Sequence, residues 1–489
     1  MHSIVFLQPP SPPGLDVERD YAGGFGVASR KARFGYGHGK FAIPYFSLMY
    51  SAGVLRRQQY DVSYIDAQAE RLDDKTTIAR IRNLQPDIVV SVINLPSIYG
   101  DGHFLRRLKE RCENIKVVCI GTVCRVLPRD VARLSAADII ALGEPELILP
   151  DIVKTMQEGG DINSVRGVGI IQDGQLTASS AASDLVDLQK LPWPPYEIMP
   201  TTLYRDPHFG SDVRFLPIWS SRGCPMPCSF YCPYPVGMGR TIRPRSSEDF
   251  VREIVYLNQN FGITAFTFRD QIFTSNIDRA EEICDLIAEQ KLKIQWLCET
   301  RFDRVSQGLL RKMKLAGCRE VHFGLETGDP ELLYKVGKPG TRIATVKEGV
   351  RLTKEAGMVP LTQLILGLPG ENHVTASNTL KLLKELGITN ISVNLVTPYP
   401  GTPLFRYAKE HGLLETEDWS RYTSFEAVMR SESMTIPELE DARSLIMEEI
   451  IGPAYLIGSI KYPRGIKYRY RNKVKTIKER LLRILTPSQ

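Results

Sequence analysis

Two blocks of alternating apolar runs and amphipathic stretches fill most of this 489-residue chain, and they limit its fold more than any other feature. Five strand-like runs separated by helix-like stretches make up the first block: Ile4–Leu7, Val62–Ile65, Asp87–Val92, Ile115–Ile120 and Asp138–Ala141. This alternation predicts a doubly wound parallel sheet over residues 1–156. Ligands of such sheets bind beyond the carboxyl ends of the strands.

A second block of the same kind covers residues 211–415. Its strand-like runs are Phe215–Trp219, Thr264–Phe268, Ile294–Cys298, Glu320–Phe323, Leu361–Leu366 and Ile391–Val396. Six consecutive βα units predict a partial parallel (β/α)6 barrel with its site at the carboxyl ends of the strands. The sequence therefore predicts a two-domain α/β fold, with a connector over 157–210 and a small helical C-terminal region over 416–489.

The connector has the features of irregular structure and of a short hairpin. Val168–Gln172 and Gln175–Thr177 flank Asp173-Gly174, a dipeptide that favours a type I′ hairpin turn. The segment Leu191-Pro-Trp-Pro-Pro-Tyr196 has too many prolines for a helix or a central strand. We expect the boundary between the two domains here.

Composition and charge limit the partners. Hydrophobic residues make up 43% of the chain, and no run approaches the ~20 apolar residues of a membrane span. The N-terminus lacks the apolar core of a signal peptide. We therefore expect a cytoplasmic protein. Residues 461–489 hold ten basic residues and one acidic residue, while residues 1–460 hold 52 basic and 55 acidic residues. Because residues 1–460 carry a slight negative net charge, they do not favour nucleic acid as a partner.

The basic tail has its own pattern. Its apolar residues recur at helical spacing among lysines and arginines: Val474, Ile477, Leu481, Ile484 and Leu485. Such a helix either lies on an anionic membrane surface or docks its apolar face on the barrel. Peripheral membrane contact would indicate a lipid-like substrate.

Cys224, Cys228 and Cys232 follow the first strand of the second block in a loop rich in glycine and proline. Thiolates bind zinc, copper(I) or iron–sulfur clusters. A structural zinc site normally has four Cys or His ligands, and the nearest histidine, His208, is sixteen residues upstream of Cys224. Three cysteines on a four-iron cluster leave one iron free to bind another molecule.

This segment resembles the signature of the radical S-adenosylmethionine (radical SAM) enzymes, Cys-x-x-x-Cys-x-aromatic-Cys after the first strand of a partial barrel. The second interval is one residue longer here, and Tyr231 keeps the aromatic position before Cys232. The resemblance implies a [4Fe-4S] cluster on the three cysteines and S-adenosylmethionine at its open iron. It also implies an electron donor such as flavodoxin or ferredoxin.

The same resemblance assigns cofactor-binding roles to strand ends and to the aromatic residue of the cysteine loop. Glu326, after the fourth strand, would accept hydrogen bonds from the ribose hydroxyls, and Gly367, after the fifth, would let the backbone approach the adenine. Asp270 and Arg301 close the second and third strands and, with Tyr231, are expected to face the cofactor.

The N-terminal sheet resembles the cobalamin-binding domain that precedes the barrel in a large subgroup of this family. Gly121-Thr122 and Gly143-Glu144 fall at the subgroup's cobalamin positions. The Asp-x-His-x-x-Gly motif that supplies a histidine to cobalt is missing, and the nearest string, around His103, lacks the glycine. The resemblance therefore implies cobalamin bound without a protein histidine.

Taken together, the resemblance implies that the reduced cluster cleaves S-adenosylmethionine to a 5′-deoxyadenosyl radical, and that methylcobalamin supplies a methyl group. We predict a cobalamin-dependent radical methyltransferase acting on an unactivated carbon of a small-molecule or lipid substrate. A non-methylating radical cyclase or rearrangement enzyme is the alternative within the family.

A tRNA methylthiotransferase is the alternative from another class. Such enzymes carry three further cysteines for a second cluster in their N-terminal domain. The N-terminal cysteines here, Cys112, Cys119 and Cys124, crowd around one strand, which argues against that alternative.

Overall fold

The computed structural model describes residues 2–30, 42–172, 175–178, 184–210, 212–338 and 341–452. The strands are β1 Ser3–Gln8, β2 Leu15–Glu18, β3 Val27–Arg30, β4 Asp61–Asp66, β5 Ile88–Val92, β6 Lys116–Ile120, β7 Ile139–Ala141, β8 Val168–Gln172, β9 Gln175–Ala178, β10 Phe215–Ile218, β11 Ser221–Arg222, β12 Arg243–Pro244, β13 Ala265–Phe268, β14 Gln295–Thr300, β15 Cys318–Glu326, β16 Val359–Leu366 and β17 Ile391–Leu395.

The α-helices are interspersed with these strands along the chain. They are α1 Phe46–Arg57, α2 Asp74–Leu84, α3 Ile98–Arg111, α4 Thr122–Val126, α5 Pro128–Leu134, α6 Pro145–Gln157, α7 Tyr234–Met238, α8 Ser247–Phe261, α9 Ile277–Glu289, α10 Gln307–Leu315, α11 Pro330–Lys335, α12 Ile343–Glu355, α13 His373–Glu385, α14 Pro403–Glu410 and α15 Ile436–Ile451.

The N-terminal sheet has the strand order β4-β1-β5-β6-β7-β8-β9. Its first five strands are parallel, which confirms the predicted doubly wound sheet. Strand β5 is buried along its whole length, as a strand with helices on both faces should be. The predicted connector hairpin adds β8 and β9 to the edge of this sheet in antiparallel pairing, and its Asp173-Gly174 turn lies outside the described residues.

A second hairpin, which the sequence analysis did not predict, lies between β1 and α1. Strands β2 and β3 pair antiparallel around a turn at residues 19–26. Arg19 in this turn is fully buried and forms a 2.9 Å ion pair with Asp101, which is also buried. Its guanidinium also donates a 3.0 Å hydrogen bond to Asn94, after β5. These contacts hold the turn over the carboxyl edge of the sheet.

The second sheet contains β10, β13, β14, β15, β16 and β17 in chain order, and every neighbouring pair is parallel. The predicted partial barrel of six βα units is therefore confirmed. Helix α8 begins after Ser246, whose hydroxyl accepts a hydrogen bond from the Asp249 backbone N–H. Helices α9 and α10 begin in the same way after Asn276 and Ser306.

Helix α15 closes the open side of the barrel beside β17. The Arg443 guanidinium of α15 is buried and donates a 2.7 Å hydrogen bond to the Val393 carbonyl. The basic helix predicted near residues 474–485 lies outside the described residues. Within the part of the chain that the structure describes, no helix combines the length and the hydropathy that crossing a membrane requires.

Candidate active site

The cysteine loop leaves β10 through a tightly fixed segment. The Asp270 carboxylate accepts hydrogen bonds from the backbone N–H groups and the hydroxyls of Ser220 and Ser221. Gly223 follows with φ +101°, and a Cβ at this position would lie 2.0 Å from the Thr241 carbonyl oxygen. Only glycine fits this turn. Asp270, predicted to face the cofactor, is thus buried, and its hydrogen bonds fix the residues that lead from β10 into the cysteine loop.

The three cysteines come together at the carboxyl end of the barrel. Cys224 and Cys228 are buried, and Cys232 is half-buried. A hydrogen bond from the Cys232 thiol lowers the pKa of Cys228 to about 7, and the Lys338 ammonium contributes to this shift. The Cys228 thiolate is therefore accessible near neutral pH, as a ligand of a metal cluster must be.

The donor set of the cysteine loop consists of sulfur alone. Cys224, Cys228 and Cys232 line one cavity, and the one set of three convergent Cys, His, Asp or Glu ligands among the described residues contains none of them. A structural zinc site normally has four Cys or His ligands, whereas three thiolates can hold an iron–sulfur cluster and leave one iron open.

A cavity of about 660 Å³ opens beside the cysteines. It joins three of the strand-end and loop residues predicted to bind cofactor, Tyr231, Arg301 and Glu326. Tyr21 and Ala22, from the turn of the N-terminal hairpin, line its other side. The cavity thus lies between the cysteine loop, the barrel and the N-terminal domain.

Glu326 ends β15 in a strained conformation. Its φ is +67°, in the left-handed region that costs a residue with a side chain about 1–3 kcal/mol. Its carboxylate accepts a 2.5 Å hydrogen bond from the Lys338 ammonium, which also donates to the Gly324 carbonyl at 2.9 Å. Lys338 lies in a loop without a recognisable motif, so this contact could not be predicted from local pattern.

Tyr231 and Arg301 line the cavity together with the three cysteines. The Tyr231 hydroxyl is buried near the Glu326 carboxylate, and burial together with this carboxylate raises its pKa. The Arg301 guanidinium forms a bidentate ion pair with Asp303 at 2.8 and 2.9 Å. A hydroxyl, a carboxylate and a guanidinium along one cavity fit a polar cofactor.

Gly367 lies apart from this cavity. It has φ +92°, and a Cβ there would lie 2.9 Å from Val396 and 3.0 Å from Leu439. Glu371, four residues later, is fully buried, and burial raises its pKa to about 7. The loop after β16 therefore packs against α15 in this structure.

The four predicted cobalamin residues, Gly121, Thr122, Gly143 and Glu144, surround a second, small cavity of about 20 Å³. Its wall is rich in glycine, and the Thr122 hydroxyl donates a 2.6 Å hydrogen bond to the Gly23 carbonyl. No histidine of the described chain lines it, and His103 is exposed on α3. Five glycines and no histidine among its lining residues agree with cobalamin held without a protein histidine. A cavity of about 20 Å³ is one edge of such a site and does not hold a whole corrin ring.

Glu144 and Glu146 connect this small cavity to the cysteine loop. This connection was not predicted from the sequence. Glu144 accepts two hydrogen bonds from Arg243, at 2.8 and 2.9 Å. Glu146 accepts one from Arg222 at 2.7 Å, and both side chains of this pair are buried. The N-terminal domain is thereby ion-paired to residues on either side of the three cysteines.

Comparison with known families agrees with this geometry. Residues 220–383 match the radical SAM superfamily, and residues 38–153 match the B12 binding domain. The chain belongs to the radical SAM enzymes that carry a B12-binding domain. The predicted enzyme class and the predicted cofactors, a [4Fe-4S] cluster, S-adenosylmethionine and cobalamin, are thus confirmed.

Relatives of this radical SAM enzyme include both methyltransferases and cyclases. An uncharacterized methyltransferase of Pyrococcus horikoshii is 29% identical over 419 residues, which cover 85% of this chain and 90% of the relative. The anaerobic magnesium-protoporphyrin IX monomethyl ester cyclase of Cereibacter sphaeroides is 28% identical, over 80% of this chain and 64% of the cyclase.

The same architecture is found among solved structures. The radical SAM methyltransferase TsrM of Kitasatospora setae, with cobalamin and a [4Fe-4S] cluster bound, has a TM-score of 0.66 and 18% identity, covering 84% of this chain and 87% of that one. This similarity confirms the predicted fold, a B12-binding domain followed by a half-barrel.

Proposed function

We propose that this enzyme transfers a methyl group to a carbon atom of a small molecule by cobalamin-dependent radical chemistry. One observation carries the proposal. A single cavity joins the cysteine loop, the strand-end residues Arg301 and Glu326, and the turn of the N-terminal domain at Tyr21 and Ala22. A substrate in this space would be within reach of both domains.

Different residues of this chain would bind each of the three cofactors. When bound, the cluster and S-adenosylmethionine supply the radical and cobalamin supplies the methyl group. Cys224, Cys228 and Cys232 would hold the cluster, and Glu326 would accept hydrogen bonds from ribose hydroxyls in place of Lys338. The backbone around Gly121 and Gly143 would hold cobalamin.

The dimensions of the cavity support small-molecule ligands, which are S-adenosylmethionine at the cysteine end and a small substrate beside it. Its volume of about 660 Å³ is within the range of small-molecule sites. Apolar strand residues such as Leu297, Leu361 and Leu395 line it together with polar groups. A small molecule with an apolar portion suits this lining, and a flavodoxin- or ferredoxin-like donor would supply the electron.

Two alternatives differ in their support. The cyclase among the relatives favours a non-methylating reaction as the second candidate. The methylthiotransferase alternative needs a second cluster, but Cys119 and Cys124 are buried in the core, where burial raises the pKa of each thiol, and Cys112 is half-buried at the end of α3.

An anaerobic turnover assay separates the two radical reactions. The reconstituted enzyme is given reductant, S-adenosylmethionine, cobalamin and a small-molecule extract of its source cells. Methyl transfer predicts both 5′-deoxyadenosine and S-adenosylhomocysteine, each dependent on the extract. 5′-Deoxyadenosine alone would indicate the cyclase-like reaction and would contradict the proposal.

A further inference from the structure

The barrel contains a second group of polar side chains away from the cysteines. Because side chains alternate along a strand, Glu320 and His322 of β15 share one face. An irregularity between Gly324 and Glu326 interrupts the alternation near the carboxyl end of the strand. With a rise of at most about 3.3 Å per residue, His322 and Glu326 are separated by up to about 13 Å along the strand. The cavity extends over this distance, since His322 and Glu326 both line it.

Two histidines converge on one carboxylate oxygen in this group. His208 Nδ1 lies 2.9 Å from Glu320 Oε1, and His322 Nε2 lies 2.5 Å from the same atom. The three ligand atoms lie within 4.8 Å of one another. The Asn390 side chain donates a 3.1 Å hydrogen bond to the other oxygen, Glu320 Oε2, and so fixes the orientation of the carboxylate.

We propose that His208, Glu320 and His322 bind a divalent first-row transition ion of the zinc class. Two imidazole nitrogens and one carboxylate oxygen are the donors that such ions prefer, and catalytic zinc sites use three protein ligands of this kind. Tetrahedral ligands about 2.1 Å from an ion lie about 3.4 Å from one another. Both histidine nitrogens therefore have to move less than about 1 Å away from Glu320 Oε1 to admit the ion.

The surroundings supply what a metal site needs besides its ligands. Asn390 provides the outer hydrogen bond that orients a ligating carboxylate. The His208 side chain is 32% exposed and the His322 side chain 9% exposed, so an ion has an entry path on one side and a sheltered ligand on the other. Since both histidines line the cavity, the remaining coordination position is open to water or to a small molecule there.

The competing explanation is an ordinary hydrogen-bond network in which both histidines donate N–H groups to Glu320. Glu320→Gln distinguishes the two, because the amide oxygen still accepts hydrogen bonds while the negative charge that a divalent ion needs is lost. His208→Asn is a second variant, at the most exposed of the three positions. His103→Ala, on the exposed face of α3, is the matched control.

The test uses holoenzyme with its cluster and cobalamin loaded, so that the cysteines are occupied. Each protein is dialysed against micromolar Zn²⁺, zinc per chain is measured by mass spectrometry, and the zinc environment by X-ray absorption. Circular dichroism verifies that each variant is folded. No activity is read, so the outcome is independent of the proposed methyl transfer.

We expect one zinc per chain in the wild type and in His103→Ala, with nitrogen and oxygen neighbours and no sulfur. We expect at least tenfold weaker zinc binding in Glu320→Gln and His208→Asn. Equal zinc binding by wild type and Glu320→Gln, sulfur in the zinc environment, or no zinc in the wild type would overturn the proposal.

Discussion

Glu146 of the B12-binding domain and Arg222 of the radical SAM domain form a buried 2.7 Å ion pair two residues before the first cluster cysteine. The Arg222 guanidinium also lies 4.3 Å above the Trp219 ring, a cation–π contact. Through this pair, the domain predicted to hold cobalamin is connected directly to the loop predicted to hold the cluster.

Glu146→Gln should therefore destabilise the protein strongly. Removing one partner of a buried pair costs about 3–5 kcal/mol, and the second, 3.5 Å pair of Arg222 with Glu144 places this variant at the lower end of that range. We expect a clear fall in melting temperature. Glu348→Gln, in an exposed pair with Arg351, is the control and should leave the melting temperature almost unchanged, because exposed ion pairs contribute little to stability. Equal melting temperatures for both variants would show that the domains are held together in another way.

Each of the substitutions Cys224→Ala, Cys228→Ala and Cys232→Ala should prevent the protein from retaining a complete cluster. Iron and sulfide per chain after anaerobic reconstitution measure this, together with the electron-resonance signal of the reduced protein. Cys298→Ala removes a buried thiol of β14 and should leave the iron content unchanged. Full iron content in Cys232→Ala would show that the longer second interval excludes this cysteine from the cluster.

Glu326→Gln should weaken binding of S-adenosylmethionine about tenfold, because a hydrogen bond to a charged group contributes roughly 1.5–3 kcal/mol. Equilibrium dialysis with labelled S-adenosylmethionine and cluster-loaded protein measures the affinity. Glu331→Gln changes an exposed carboxylate in the first turn of α11 and should bind like the wild type. Unchanged affinity in Glu326→Gln would remove Glu326 from the cofactor site.

Glu371 makes the stability of the protein depend on pH. Its side chain is fully buried, Oε2 has no hydrogen-bond partner among the described residues, and burial raises its pKa from 4.5 to about 7. The folded state therefore binds this proton more tightly than the unfolded state. The resulting stability is present below pH 4.5 and is lost as the pH rises through about 7.

Glu371→Gln should accordingly lose less stability than the wild type between pH 5 and pH 8, by up to about 3 kcal/mol. Melting temperatures of both proteins are measured across this pH range. Subtracting the two curves removes the contribution of the other titrating groups, which the two proteins share. Glu410→Gln, at an exposed position at the end of α14, should follow the wild type. Parallel curves for wild type and Glu371→Gln would contradict a raised pKa at Glu371.

The sequence predicted those parts of the fold that local pattern determines. All six barrel strands and the five parallel strands of the N-terminal sheet follow from buried apolar runs, and the cysteine spacing indicated the cluster. The hairpin of β2 and β3 was missed because Leu15–Glu18 is a short strand beside proline and glycine, and because its turn is fixed by Asp101, 82 residues from Arg19.

Long-range pairing explains the remaining omissions. Glu146 and Arg222 are 76 residues apart, and His208 meets Glu320 across most of the barrel sequence. Local pattern carries no information about such contacts. Asp270 was placed on the correct strand end, but its hydrogen bonds to Ser220 and Ser221 depend on how the neighbouring loop folds.

The most direct measurement of the central claim follows the methyl group itself. Reconstituted enzyme is given S-adenosylmethionine with a trideuterated methyl group, reductant and the small-molecule extract, with and without cobalamin, and products are analysed by mass spectrometry. Cobalamin-dependent methyl transfer predicts a product that gains a trideuteromethyl group only when cobalamin is present. Cobalamin-dependent consumption of a substrate without any gain of label would contradict methyl transfer.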